Sequence, residues 1–142
     1  MRTLFDVNVL IALLDAGHVH HDRIHRWWAK NRTAGWASCP LTQNGFVRVL
    51  AQPGYPNRIA APVAAEFLAG AVSAPEHEFW PDDLSITDAK RFLRDRIIGP
   101  KQITDLYLLA LAVGRGGRLA TFDRTIPLSA VVGAGPQNLV VV

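Results

Sequence analysis

Thr3-Leu-Phe-Asp-Val-Asn-Val-Leu-Ile-Ala-Leu-Leu14 decides how the chain is read. Leu4-Phe5 is a short apolar run that predicts a buried strand ending at Asp6. Asn8 suits a helix N-cap, because its side-chain oxygen can accept from an orphan backbone N–H. Val9 to Leu14 then predicts a first helix, broken near Ala16-Gly17. A carboxylate at the seam between a first strand and a first helix is a position where α/β proteins do chemistry.

Outward from that seam, strands and helices alternate. His20 to Asn31 sets Ile24, Trp27 and Trp28 at helical spacing against Asp22, Arg23, Arg26 and Lys30. Gly35 to Cys39 predicts a second strand ended by Pro40, and Thr42 to Gln52 a helix stopped by Pro53-Gly54. After a loop over Pro56 to Ala61, Pro62 opens another helix carrying Val63, Phe67, Leu68 and Val72. His77 to Trp80 predicts a third strand, closed by Pro81-Asp-Asp83. Thr87 to Arg94 predicts a short helix capped by Thr87, followed by a loop over Ile97 to Lys101. Ile103 to Val113 is almost wholly apolar and too long for an ordinary strand, so it predicts a buried helix ended by Gly114, Gly116 and Gly117. Arg118 to Thr121 is a fourth strand and Leu139 to Val142 a fifth. The alternation implies an α/β fold of three layers, α/β/α, with a mostly parallel sheet of four to five strands covered on both faces.

Bulk properties narrow the class. A chain of 142 residues fits a single domain, 1–142, with a real core. Hydrophobic residues at 49% and charged residues at 19% exclude a disordered chain. The net charge of +3 permits a polyanionic partner without demanding one. Cys39 is the single cysteine, so no disulfide forms within the chain and a reducing, cytoplasmic setting is expected. No secretory signal layout is expected, because Asp6 and Asp15 bracket the first apolar run. No run approaches the roughly 20 apolar residues of a membrane span.

Three aspartates stand where such a sheet binds ligands. Taken singly, each has an ordinary role. Asp6 is a turn residue after a strand, Asp105 a charge favoured at a helix N-terminus, and Asp123 a loop residue paired to Arg124. Together they converge on one sheet edge and would repel one another unless a cation neutralised them. Mg²⁺, with Mn²⁺ as a substitute, is the natural occupant of an all-carboxylate site. Such a metal activates water and steadies charge on a phosphate.

Five segments now support a family resemblance: Phe5 to Leu10, Ile103 to Ala112, Leu119 to Asp123, Cys39 to Arg48 and Phe79 to Asp83. In order, spacing and length the chain resembles a PIN domain, and within that family the VapC-type toxin ribonucleases of bacterial toxin–antitoxin pairs. No single motif carries the likeness; the whole chain does. It implies a PIN-like fold and a Mg²⁺-dependent endoribonuclease in which metal-activated water cleaves RNA. It also implies neutralisation by a VapB-type antitoxin, and a homodimer. By position Asp6, Asp105 and Asp123 match three of the family's acids. The fourth, usually a Glu on the helix after the second strand, has no counterpart: Thr42-Gln-Asn-Gly45 holds no carboxylate, and Gln43 or Asn44 stands near its place. That departure favours one protein-held metal, with a second recruited by substrate. Asn8, Thr42, Gln43 and Arg48 are expected to support the site or touch substrate.

Two other readings fit the same sequence. A catalytically weak or inactive PIN-like module that binds RNA or protein would account for the missing acid. A phosphohydrolase using Asp6 as nucleophile would want an Asp two residues on, where this chain has Asn8. His18, His20 and His21 lack the spacing of a zinc module and belong to a solvated helix start. Trp27 and Trp28 are packing residues. Lys90, Arg91, Arg94, Arg96 and Lys101, interleaved with Asp88 and Asp95, read as a solvated face with phosphate contact as the functional alternative. Asp82 and Asp83 are reserve acids in a Pro-Asp-Asp turn.

Overall fold

A computed structural model describes all residues, 1–142. The strands are β1 (Thr3–Phe5), β2 (Trp36–Ser38), β3 (His77–Phe79), β4 (Arg118–Thr121) and β5 (Leu139–Val141). The helices are α1 (Val7–Leu14), α2 (His21–Asn31), α3 (Pro40–Ala51), α4 (Ala61–Val72) and α5 (Ile103–Gly114). All five strands pair in parallel in the order β3-β2-β1-β4-β5.

Alternate side chains of each strand enter different layers, as strand geometry requires. On one face Leu4, Ala37 and Leu119 pack against Leu106, Leu109 and Ala112 of α5. On the other, Phe5, Trp36 and Ala120 pack against Val9, Ile24, Phe46 and Leu68 of the first four helices. Two buried clusters thus sandwich the sheet, which is why its strands read as apolar runs.

The order reverses at β1: the chain leaves it to build β2 and β3 on one side and returns to place β4 on the other. A cleft forms outside the carboxyl ends of strands at such a switch point. α1 and α3 pack closely against each other. A Cβ added at Gly45 would lie 2.5 Å from Val7 Cγ2, so only glycine allows α3 this near α1.

The structure corrects two local expectations. The N-cap of α1 is Asp6, not Asn8. Asp6 is extended and its Oδ1 accepts from Val9 N–H at 2.8 Å, so the helix begins at Val7 and leaves Asn8 exposed in its first turn. The strand stops one residue before a side chain able to cap, and the nearer candidate wins. Thr87 to Arg94 forms no α-helix. Ser85 Oγ and Thr87 Oγ1 bond each other at 2.7 Å, and Asp88 Oδ1 accepts from Lys90 N–H at 2.9 Å. These local bonds compete with helix formation, while Phe92 is drawn into a β-bridge with Val131. A short 3₁₀ turn, Arg94–Arg96, overlaps the last residue of the expected helix, and another, Pro100–Gln102, begins within the expected loop.

A smaller shift affects α3, which starts at Pro40 rather than Thr42. Proline suits the first helical position, and Thr42 Oγ1 accepts from Cys39 N–H at 3.0 Å to close the turn. No helix is long and apolar enough to cross a membrane.

Candidate metal centre

Asp6, Asp105 and Asp123 lie near one another at the switch point, close enough for their charges to interact. Asp6 follows β1 directly, and its own N–H donates to the Ala120 carbonyl of β4. Asp123 lies two residues beyond β4, and its N–H donates to Thr121 Oγ1 at 3.0 Å. Asp105 is in the first turn of α5, which runs back across the sheet towards β4 and so starts at the carboxyl edge.

Each carboxylate has a different environment. Asp6 is 5% exposed. Burial pushes its carboxyl up, against the pull of the Thr121 hydroxyl and of N–H groups in the first turn of α1. Asp123 Oδ1 accepts from Thr125 N–H and Thr125 Oγ1, each at 2.7 Å, and these bonds hold its carboxyl below the ordinary range. The expected Asp123–Arg124 ion pair is absent. Asp105 has no such help. Burial, then the charges of Asp6 and Asp123, push its carboxyl up to about 6.

No cation of the protein answers this charge. The ion pairs are Arg2–Glu78, Arg32–Glu76, Arg96–Asp95 and Arg115–Asp83, and none includes one of the three aspartates. The donor set is all oxygen, anionic and mutually repelling, which fits a hard divalent ion. It is not a preassembled cage, because no three acidic, His or Cys side chains converge closely enough to ligate one ion. Asp6, Asp105 and Asp123 are the residues that would hold it.

The other expected site residues are less central. Asn8 caps nothing. Thr42 is buried and spent on the start of α3, its hydroxyl donating to the Cys39 carbonyl at 3.1 Å. Gln43 Nε2 donates to Ser38 Oγ at 3.0 Å rather than to an acid of the cluster. Arg48 is exposed on α3 without a carboxylate partner. The reserve acids are engaged elsewhere: Asp82 Oδ2 accepts from Leu41 N–H at 3.0 Å, and Asp83 pairs with Arg115 at 2.8 Å.

The histidines serve structure. His21 Nδ1 bonds the Ala12 carbonyl at 2.8 Å and His25 Nε2 the Leu13 carbonyl at 2.9 Å, satisfying the end of α1. Trp27 and Trp28 meet Phe5 edge-on, at centroid distances of 6.3 and 5.6 Å. Sequence reasoning missed Thr121 and Thr125, although Thr121-Phe-Asp-Arg-Thr125 spaces two hydroxyls symmetrically about Asp123 and could have signalled the turn.

The PIN-domain family model matches residues 3–131. The chain belongs to the PIN-domain family. Within it the chain is of the VapC type: it is 53% identical over 139 residues to Ribonuclease VapC44 of Mycobacterium tuberculosis, covering 98% of each chain. Ribonuclease VapC38 of the same organism is 46% identical over 121 residues, 84% of each chain. Among solved structures, VapBC2 from Rickettsia felis bound to a promoter DNA fragment superposes with a TM-score of 0.59, covering 89% of this chain and 94% of that one. At 13% identity that likeness speaks for the PIN fold alone.

Proposed function

We propose that this PIN domain is the toxin of a type II toxin–antitoxin pair, a Mg²⁺-dependent endoribonuclease that cleaves cellular RNA in the cytoplasm. Its partners in this reading are a VapB-type antitoxin that neutralises it and a second copy of the chain. The reading draws on the ribonuclease names of its near relatives and on one observation: the Asp105 carboxylate is half-buried between two other carboxylates with no protein donor or cation to answer it. A protein tolerates such a group where it has a task.

A bound Mg²⁺ supplies a Lewis acid that activates water and neutralises charge at a phosphodiester. The chain's own residues prepare for it. Asp6 is fixed by the first turn of α1, so its orientation is set before any ligand arrives. Asp123 is kept ionised by Thr125 and brings a full negative charge. Asp105, pushed up to about 6 by burial and by the charges of the other two, would be stabilised in its ionised form by a cation held there. Gly45 lets α3 pack close to Val7, the residue after Asp6.

The test is RNA cleavage by protein freed of antitoxin, with and without Mg²⁺, for the wild type, Asp6→Asn and Asp105→Asn. Near-full activity in both variants would overturn the site. A second reading, an RNA- or protein-binding module without catalysis, is favoured by the lack of a finished cage and of an acid at position 43. Binding of several RNAs with no metal-dependent product from any of them would select it.

A further inference from the structure

Gln43 stands on the first turn of α3, close to where the family's fourth acid belongs, and its side chain begins a hydrogen-bond chain. Gln43 Nε2 lies 3.0 Å from Ser38 Oγ. Ser38 Oγ lies 2.7 Å from His77 Nε2. The backbone of Val72 also acts on the His77 ring, favouring its charged form less than burial disfavours it. Ser38 is fully buried at the carboxyl end of β2, and His77 opens β3 with its ring 4.4 Å from that of Trp36. Ser38 is therefore no nucleophile, despite a histidine at hydrogen-bond distance: no substrate reaches its oxygen.

Donor counting gives the chain a direction. The Gln43 amide nitrogen can only donate, so Ser38 Oγ accepts from it, its own proton is left for His77 Nε2, and the neutral ring carries its proton on Nδ1. Burial holds His77 below the ordinary histidine range, with Arg2 and Glu78 nearby acting in opposite senses. The ring is neutral, and Nε2 presents a lone pair. Ser38 has one hydroxyl proton, which goes to that lone pair. What Ser38 Oγ has left is lone pairs, and only a donor satisfies them. The NH₂ group of Gln43 is that donor. A carboxylate at position 43 would meet a lone pair, and could bond Ser38 only by taking its proton from His77.

We infer that Ser38 and His77 are positioning residues for Gln43, fixing its side chain and making position 43 selective for an amide over an acid. In the nuclease reading, on which only the consequence rests, the centre keeps three carboxylates because a Glu here would be claimed by Ser38 and His77. Gln43 instead turns Oε1, an acceptor, away from Ser38.

Nitrogen NMR of the His77 ring in the full-length, metal-free protein tests this without reference to RNA. In the wild type the ring should be neutral at neutral pH, protonated on Nδ1 only. In Gln43→Glu the Ser38 hydroxyl should turn to the carboxylate and His77 should gain a second proton, its proton affinity rising about tenfold or more. In Ser38→Ala/Gln43→Glu that rise should largely disappear, because the link is cut. An unchanged ring in Gln43→Glu overturns the inference. Should Gln43→Glu fail to fold, Ser38→Ala alone decides: the Gln43 side-chain amide signals should shift and exchange faster with solvent, whereas unchanged signals refute the chain. A protein with these signatures but no RNA cleavage would refute the nuclease reading alone, and an active protein without them would refute this inference alone.

Discussion

The two edges of the sheet treat charge in opposite ways. At the amino edge, Arg2 donates to the carbonyls of Trp36 and Glu76, at 3.2 and 2.6 Å, and pairs with Glu78 at 2.8 Å. Arg118 donates to Thr3 Oγ1 at 3.0 Å and Asn31 Oδ1 at 2.8 Å, and lies over the ring of Trp27. Both guanidinium groups are answered by the protein itself. At the carboxyl edge, three aspartates share a cleft with no basic residue among them. Half-buried charges that serve stability are paired, because leaving them unpaired costs free energy. In the proposed reading the unanswered edge is therefore the one that carries function, and the answered edge is scaffold.

The contrast breaks first, and most visibly, under isosteric neutralisation of the acids. Asp6→Asn and Asp105→Asn should each lower Mg²⁺-dependent RNA cleavage by on the order of a hundredfold or more, since charge stabilisation at a transferring phosphate is worth several kcal/mol. Both variants should fold. Asn caps helices as well as Asp, so the bond from Val9 N–H survives in Asp6→Asn. Asp105→Asn removes a repelled charge and should leave thermal stability unchanged or raised. Loss of fold in either variant would mean that the acids are structural, and the distinction between the edges would fail.

Next in size is the packing beside the functional edge. Gly45→Ala puts a methyl 2.5 Å from Val7 Cγ2, and Val7 is stiff about χ1. The clash should cost about 1–3 kcal/mol in chemical denaturation. Adding Val7→Ala should recover much of it, because the two residues are in contact. An additive double variant would show that α1 and α3 are not locked by this pair.

The scaffold edge should respond in stability and not in activity. Arg118→Met removes hydrogen bonds to Thr3 and Asn31 and should destabilise by about 1–2 kcal/mol. Cleavage per folded molecule should stay within about twofold of wild type, well under 1 kcal/mol of barrier. A large loss of activity in folded Arg118→Met would place this edge in the mechanism.

The sequence made the two edges legible to different degrees. The order of strands and helices along the chain could be read, and the three acids singled out, because Asp6 and Asp123 follow apolar runs and Asp105 opens one. The cap of α1 could not, because Asp6 and Asn8 are both competent and the choice depends on the residue at which β1 stops pairing. The region Thr87 to Arg94 has helical spacing, yet Phe92 is claimed by Val131, 39 residues away, and no local pattern encodes that pull. Gln43 looked like a deficit in an acidic site. Its partners Ser38 and His77 come from two different strands, and only their pairing shows that an amide suits the position.

The smallest expected effect concerns pH and separates the edges by sign. Asp105 has a folded-state pKa of about 6, against 3.8 for an ordinary Asp. The folded protein therefore binds this proton more tightly than the unfolded chain, and stability rises as pH falls through the folded value. Asp123, Asp15 and Glu76 are shifted the other way, and their contribution is lost only at lower pH, as their own carboxylates protonate. Between pH 7 and pH 5 the Asp105 proton, and that of Asp6, which is also shifted up, stabilise the metal-free protein as pH falls, against His18 and His77, which are held low and act in the opposite sense. Asp105→Asn should remove its own share, so that wild type gains stability relative to the variant as pH falls from 7 to 5. Mg²⁺ should reduce that gain by stabilising wild type at pH 7, where the carboxylate is ionised and free to bind. Arg118→Met should keep the full slope at a lower melting temperature. If Mg²⁺ shifts wild type and Asp105→Asn equally, the ion is held elsewhere, and the unanswered charge at the carboxyl edge needs another explanation.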